Sequence, residues 1–325
     1  MPPVPNNARN ILIRSTNWIG DAVMTTPAIR SIRRNFPEAK ITLLALPWVA
    51  DVFRACPHID RIFIYEKQGR HQGLRGKLRL AAELRQEHYD LGILLQNAFE
   101  AALITFLARI PVRGGYTTDG RGLLLTHGVR KHPAIGTKHQ VHYYQEMLEG
   151  LGLQRSENSL ELFLDPTAVQ EADALIREAL PGKEVPIIGL NPGAAYGPAK
   201  CWPAAKYAEL ARRISEKTGG LLVIFGTAAD QKAAAEITAS AGDKVLNLTG
   251  KTSLAQALAC CRCRKIGVPP TAGFISKWYL VLATLEQGAT ADTAPAKTEA
   301  APAAAPAGKS DSGAADLLGP AARQL

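Results

Sequence analysis

The chain has 325 residues, 46% of them hydrophobic, five cysteines and a formal net charge of +9. That length accommodates two ordinary domains, each with its own core. No apolar run approaches the roughly 20 residues of a membrane span. The first residues, Met1-Pro2-Pro3-Val4-Pro5-Asn6-Asn7, lack the charged and apolar regions of a signal peptide, which points to cytoplasmic residence. An odd cysteine count without such a signal argues for free thiols.

Strand-like runs at 11–14, 41–45, 61–65 and 91–95 alternate with helical stretches at 28–35, 74–87 and 98–108, the pattern of parallel βαβ units. Pro27 either begins the first helix, with Thr26 as its cap, or kinks one that starts at Gly20. A helix with Tyr143, Met147, Leu148 and Leu151 on one face ends near Gly152. A polar stretch at 154–159 and a charged helix at 166–180 lead to Pro181-Gly182-Lys183, a domain boundary by composition.

The alternation restarts with a strand at 187–190. A helix from Trp202-Pro203 to Gly219-Gly220, strands at 221–225 and 245–248, and a segment at 254–259 follow. Then it stops. From Gln287 the chain is Ala, Pro, Thr, Ser and Gly with sparse charge, which cannot bury enough apolar surface to order itself. The expected class is α/β. Residues 1–180 form one Rossmann-like domain and 181–265 a second with too few strands to close its sheet. Residues 266–288 form an unrelated segment, and 289–325 a disordered tail.

The first strand delivers Asn17-Trp18-Ile19-Gly20-Asp21 to its carboxyl end, where open α/β sheets bind ligands. Asp21 is either a helix cap or a carboxylate that accepts a proton. Gly20 permits close approach of a substrate, and Trp18 offers a flat apolar wall. The strand at 187–190 feeds Asn191-Pro192-Gly193-Ala194-Ala195-Tyr196-Gly197-Pro198-Ala199-Lys200, a turn with a lysine ahead of a helix N-terminus, where anions are favoured. Neither a Walker loop nor a G-x-G-x-x-G is present. A base in one half and a cation at a glycine-rich turn in the other suggest group transfer from a phosphate-bearing donor.

Cys260 and Cys263 form a lone CxxC with no second pair nearby, and His139 and His142 lack further ligands, so no metal site is expected. The basic residues are scattered rather than striped among aromatic platforms, which disfavours nucleic acid. The densest group, Arg70-His71-Gln72-Gly73-Leu74-Arg75-Gly76-Lys77-Leu78-Arg79, reads as a solvated face or as a patch for phosphorylated lipid.

From about Asn10 to Leu258 the chain resembles the lipopolysaccharide heptosyltransferase family, inverting glycosyltransferases with two facing Rossmann-like domains (GT-B). The likeness rests on Asn17 to Asp21, Gly120-Arg121-Gly122-Leu123-Leu124-Leu125-Thr126, Asn191 to Pro203, and Thr249-Gly250-Lys251-Thr252-Ser253-Leu254. It implies transfer of a heptose from ADP-heptose to the first heptose of the lipopolysaccharide inner core (heptosyl-Kdo2-lipid A). The enzyme would work peripherally on the cytoplasmic face of the inner membrane, without a metal or other cofactor. Asp21 would be the base on the acceptor hydroxyl. Asn17, Trp18 and Gly20 would line the acceptor side, and Gly193, Ala194, Tyr196 and Lys200 would hold the donor.

Three departures stand out. Gln96-Asn97-Ala98-Phe99-Glu100-Ala101 replaces the family's Pro-Asn-Ser-Phe-Lys-Ser, an anion for a cation. The family's Asp-Ser/Thr-Gly-Leu-Met-His donor loop is missing. Residues 267–279 instead resemble a segment of antiporter-like membrane subunits of respiratory complex I, as if a heptosyltransferase were joined near Cys260 to unrelated sequence. The other reading is a non-catalytic remnant that binds sugar nucleotide or an anionic lipid surface.

Overall fold

The computed structural model describes residues 2–180, 185–193, 201–242, 244–261 and 265–266. The elements of the first lobe run β1 (Asn10–Arg14), α1 (Ile19–Met24), α2 (Thr26–Asn35), β2 (Lys40–Ala45), α3 (Pro47–Ala50), β3 (Arg61–Ile64), α4 (Gly73–Gln86), β4 (Leu91–Leu94), α5 (Phe99–Leu107), β5 (Val112–Tyr116), β6 (His127–Val129) and α6 (Gln140–Gly150). All six strands are parallel, in the order β3-β2-β1-β4-β5-β6.

β1 is central, with Ile11 beside Ile41 on one side and Leu91 on the other. Ile11, Leu12 and Ile13 are fully buried, because helices cover both faces of a parallel sheet. That double burial makes the run continuously apolar, and hence legible in the sequence. β5 and β6 were not expected. β5 reads Val-Arg-Gly-Gly-Tyr, and two glycines break any strand signature. Neighbouring elements require them: a Cβ on Gly114 would lie 2.9 Å from the Leu151 side chain, and one on Gly115 would lie 3.2 Å from the Leu94 carbonyl oxygen.

Near Pro27 the chain takes parts of both expected courses. A one-and-a-half-turn helix starts at Ile19, and a second begins at Thr26 with Thr25, not Thr26, in the capping position. The crossover segment is tied to the first lobe by buried polar contacts. Arg30 donates to Ser156 Oγ at 3.1 Å and Ser159 O at 3.2 Å and pairs with Glu161. Ser156 N donates to Ser31 Oγ at 2.8 Å.

The remaining elements are α7 (Pro166–Ala179), β7 (Ile187–Leu190), α8 (Ala204–Thr218), β8 (Leu221–Ile224), α9 (Gln231–Ala241), β9 (Val245–Asn247), α10 (Leu254–Cys261) and β10 (Lys265–Ile266). They form a parallel sheet in the order β10-β7-β8-β9. β10 pairs beside β7 just past the point where the alternating pattern fades.

α7 differs from its assignment by composition. Ala172 and Ile176 pack with Leu221, Val223, Phe225 and Cys260, and Glu171 accepts from Gln256 Nε2 at 2.7 Å. By packing, this helix belongs to the second lobe, and the chain changes lobe before Pro166. Its apolar stripe had to face some sheet, and only packing decides which. Cys260 lies in that core as a small apolar residue, and Cys263 lies outside the described residues. So do the segment 267–288 and the tail.

Candidate active site

In the first sheet the strand order reverses between β1 and β4, so the loops leaving these two strands diverge and open a crevice at their carboxyl ends. The loop after β1 carries Asn17, Trp18 and Gly20 and runs into α1. Trp18 occupies the N-cap position with 47% of its surface exposed, and Asp21 lies in the first turn. No side chain caps α1, and the half-buried Asp21 carboxylate makes no hydrogen bond or ion pair with a described residue. The cap reading of Asp21 therefore has no bond to support it. Burial raises its pKa from the ordinary aspartate value.

Two fully buried arginines hold the crevice floor. Arg14, at the end of β1, donates to Ser15 O at 2.5 Å and to Asn17 Oδ1 at 2.9 Å, fixing the loop that leads to Asp21. Its guanidinium lies 5.5 Å from the Tyr65 ring centroid. Arg121 donates to Tyr116 O at 2.7 Å, to Asn97 Oδ1 at 2.9 Å and to Gln96 O, fixing the loop after β4. Asn97 then donates to Tyr143 Oη at 2.5 Å. Neither arginine touches a carboxylate, and burial pulls each pKa down to about 10. The Arg14 and Arg121 terminal nitrogens bond loop carbonyls and the amide oxygens of Asn17 and Asn97, while Arg14 Nε is buried without a partner among the described residues.

Glu100 opens α5 at the same edge. It accepts from Tyr65 Oη at 2.8 Å and pairs with Lys77 at 2.8 Å and Lys67 at 3.2 Å. Burial pushes its carboxyl up, but hydrogen bonds from Lys77, Tyr65 and Lys67 outweigh this and hold it at about 2. The anion that departs from the family pattern is thus neutralised by two lysines, and the local charge stays positive.

In the second lobe Gly193 follows β7 and Gly226 follows β8. A Cβ on Gly193 would lie 2.3 Å from an Asp230 carboxylate oxygen, and one on Gly226 would lie 2.9 Å from the other. Asp230 closes a capping box with Thr227, whose N–H and Oγ1 donate to Asp230 Oδ2 at 2.8 and 2.9 Å. Tyr207 Oη donates to Asn191 O at 3.0 Å and anchors the turn after β7 to α8. The two glycines thus leave room for the Asp230 side chain against the turns after β7 and β8.

Residues 77–268, more than half of the chain, match glycosyltransferase family 9 (heptosyltransferase). Lipopolysaccharide heptosyltransferase 2 of Salmonella typhimurium is 31% identical over 78% of this chain and 75% of its own length. The Escherichia coli enzyme of that name is 30% identical over the same shares. The structure of E. coli ADP-heptose lps heptosyltransferase II superposes with a TM-score of 0.69 at 25% identity, covering 85% of this chain and 82% of that one. A family 9 glycosyltransferase from Veillonella parvula shares the fold with a TM-score of 0.74.

The chain belongs to glycosyltransferase family 9. It is a heptosyltransferase with the GT-B arrangement of parallel α/β sheets.

In this heptosyltransferase Asn17, Trp18, Gly20 and Asp21 come together at the end of β1, and Gly193 lies after β7. Ala194, Tyr196 and Lys200 lie outside the described residues. Arg14, Tyr65 and Tyr144 were missed by sequence reasoning. Tyr144 lies on α6, which packs against α1, and its hydroxyl is pushed up in pKa by burial and further by the Asp21 charge. An arginine at the end of an apolar strand was the one available signal for Arg14. His139 caps α6, its Nδ1 accepting from Val141 N at 3.3 Å. Among the described residues no group of three or more His, Cys, Asp or Glu side chains could hold a metal ion. No described helix is long and apolar enough to cross a membrane.

Proposed function

We propose that this heptosyltransferase transfers a heptose from ADP-heptose to the first heptose of the lipopolysaccharide inner core, with inversion at the anomeric carbon. The identity with lipopolysaccharide heptosyltransferase 2 of two species supports the substrate class. Asp21 carries the mechanism: a half-buried, uncapped carboxylate at the switch point of the first sheet. As the acceptor oxygen attacks the anomeric carbon, its proton passes to Asp21 and the carbon–oxygen bond to the diphosphate breaks, releasing ADP. Burial raises the Asp21 pKa, which makes its carboxylate a stronger base.

Gly193, Ala194, Tyr196 and Lys200 would cradle the donor, with the Lys200 cation and the backbone amides stabilising charge on the departing diphosphate. Arg14 and Arg121 keep the acceptor loops in place and the crevice positive. The first lobe then takes the acceptor and the second, from Pro166 onward, the donor. The enzyme works peripherally on the cytoplasmic face of the inner membrane, where its acceptor is made.

Titration calorimetry with ADP-heptose, run beside a transfer assay on heptosyl-Kdo2-lipid A, tests this reading. Donor binding with ADP release and product formation supports it. Binding without transfer would leave a sugar-nucleotide-binding remnant.

A further inference from the structure

A helix that covers a sheet turns one apolar stripe inward and presents polar residues to water. α4 turns Gly76, Leu80, Ala81 and Leu84 inward. It then carries a second stripe on the opposite face. Leu74 is 69% exposed and Leu78 is 48% exposed, one turn apart. Arg75 and Arg79, the next positions along the helix, are exposed and make no hydrogen bond or ion pair with a described residue.

The nearby carboxylates are already occupied. Glu83 pairs with Arg70 and His71, each at 3.2 Å, Glu66 pairs with Arg70 at 3.6 Å, and Glu100 pairs with Lys67 and Lys77. The outward arginines therefore keep their full charge. The helix start is also closely packed. A Cβ on Gly76 would lie 2.1 Å from the His71 carbonyl carbon, so the helix sits directly on its own entry loop. His71 is fully buried, its Nδ1 accepting from Glu66 N at 3.0 Å.

We propose that the outward face of α4 docks on an anionic lipid bilayer, Leu74 and Leu78 entering the acyl boundary and Arg75 and Arg79 binding lipid phosphates. Leucines flanked by unpaired arginines match an interface whose apolar interior lies just beneath its charge. Nucleic acid would leave the leucines unused. The net charge of +9 adds long-range attraction of the same sign. The ridge lies beside the crevice, since α4 follows β3 and its Lys77 reaches Glu100 at the start of α5. The inference specifies the membrane contact of the reading above and depends on that reading only for the nature of the acceptor.

The test is co-sedimentation of the full chain with phosphatidylcholine vesicles, with and without phosphatidylglycerol. The wild type should bind only the phosphatidylglycerol vesicles, and less as salt rises. Leu74→Ser/Leu78→Ser should bind at least about ten-fold more weakly. Arg75→Gln/Arg79→Gln should lose about five-fold for each arginine, from roughly 1 kcal/mol per charge near such a surface.

Both variants should retain wild-type circular dichroism and wild-type transfer to a water-soluble heptose acceptor fragment. Variants that bind as the wild type does, or a wild type that ignores phosphatidylglycerol, would overturn the docking face. Transfer to the soluble fragment would then still uphold the proposed function. Vesicle binding without any transfer would overturn the proposed function and leave the docking face intact.

Discussion

Replacing Asp21 with asparagine keeps the shape of the side chain and removes its ability to take a proton. No hydrogen bond of α1 depends on the carboxylate, so no capping energy is at stake. Partial burial raises the Asp21 pKa, so the charged form is less stable in the fold than in the open chain. A raised acid stabilises the fold below its unfolded pKa, and that stability is lost as pH climbs through the folded pKa. At neutral pH the asparagine variant should therefore melt at the same temperature as the wild type or slightly above it.

Transfer should behave differently. A positioned general base contributes roughly 10²–10⁴ in rate, or about 3–5 kcal/mol of barrier. Asp21→Asn should lower kcat by that factor while leaving ADP-heptose affinity within about two-fold. The assays are release of ADP with heptosyl-Kdo2-lipid A as acceptor, calorimetry with the donor, and thermal unfolding at neutral pH. A collapse in melting temperature with no specific loss of kcat would refute the base and make Asp21 structural.

Glu100→Gln should cost on the order of 1–2 kcal/mol at neutral pH, after allowance for solvent screening around Lys67 and Lys77. Because the Glu100 carboxyl is depressed from 4.5 to about 2, its contribution is present above about 4.5 and fades as pH falls through about 2. The gap between wild type and variant in denaturant titrations should close over that window, and a gap independent of pH would exclude the network. Gly193→Ala drives a methyl group to within 2.3 Å of the Asp230 carboxylate. ADP-heptose affinity should fall by at least about ten-fold. Adding Asp230→Ala should recover part of it by opening space, and no recovery would show that the overlap is not the cause.

What the sequence determined by itself were the elements whose burial forces an unbroken pattern. β1, β2, β4, β7 and β8 are sandwiched between helices, so nearly every residue in them must be apolar. The turn into α1 was equally legible, because asparagine, tryptophan, glycine and aspartate in five positions mark the end of a strand rather than its interior. Those two signals carried the fold class and the nomination of Asp21.

Only the tertiary structure decided the rest. β5 forms on the edge that β4 offers and β6 on the edge of β5, and the glycines that hide β5 are there to admit Leu151 and the Leu94 carbonyl. α7 could have covered either sheet, and its packing with Leu221 and Val223 chose the second. Glu100 reads as a change of charge in the sequence, but the fold brings Lys67 and Lys77 to it and restores the sign. Arg14 and Arg121 look like surface cations, yet they are the buried supports of the crevice. For β5, α7 and Glu100 the deciding partner lies far away along the chain, where local propensity and spacing carry no information about it.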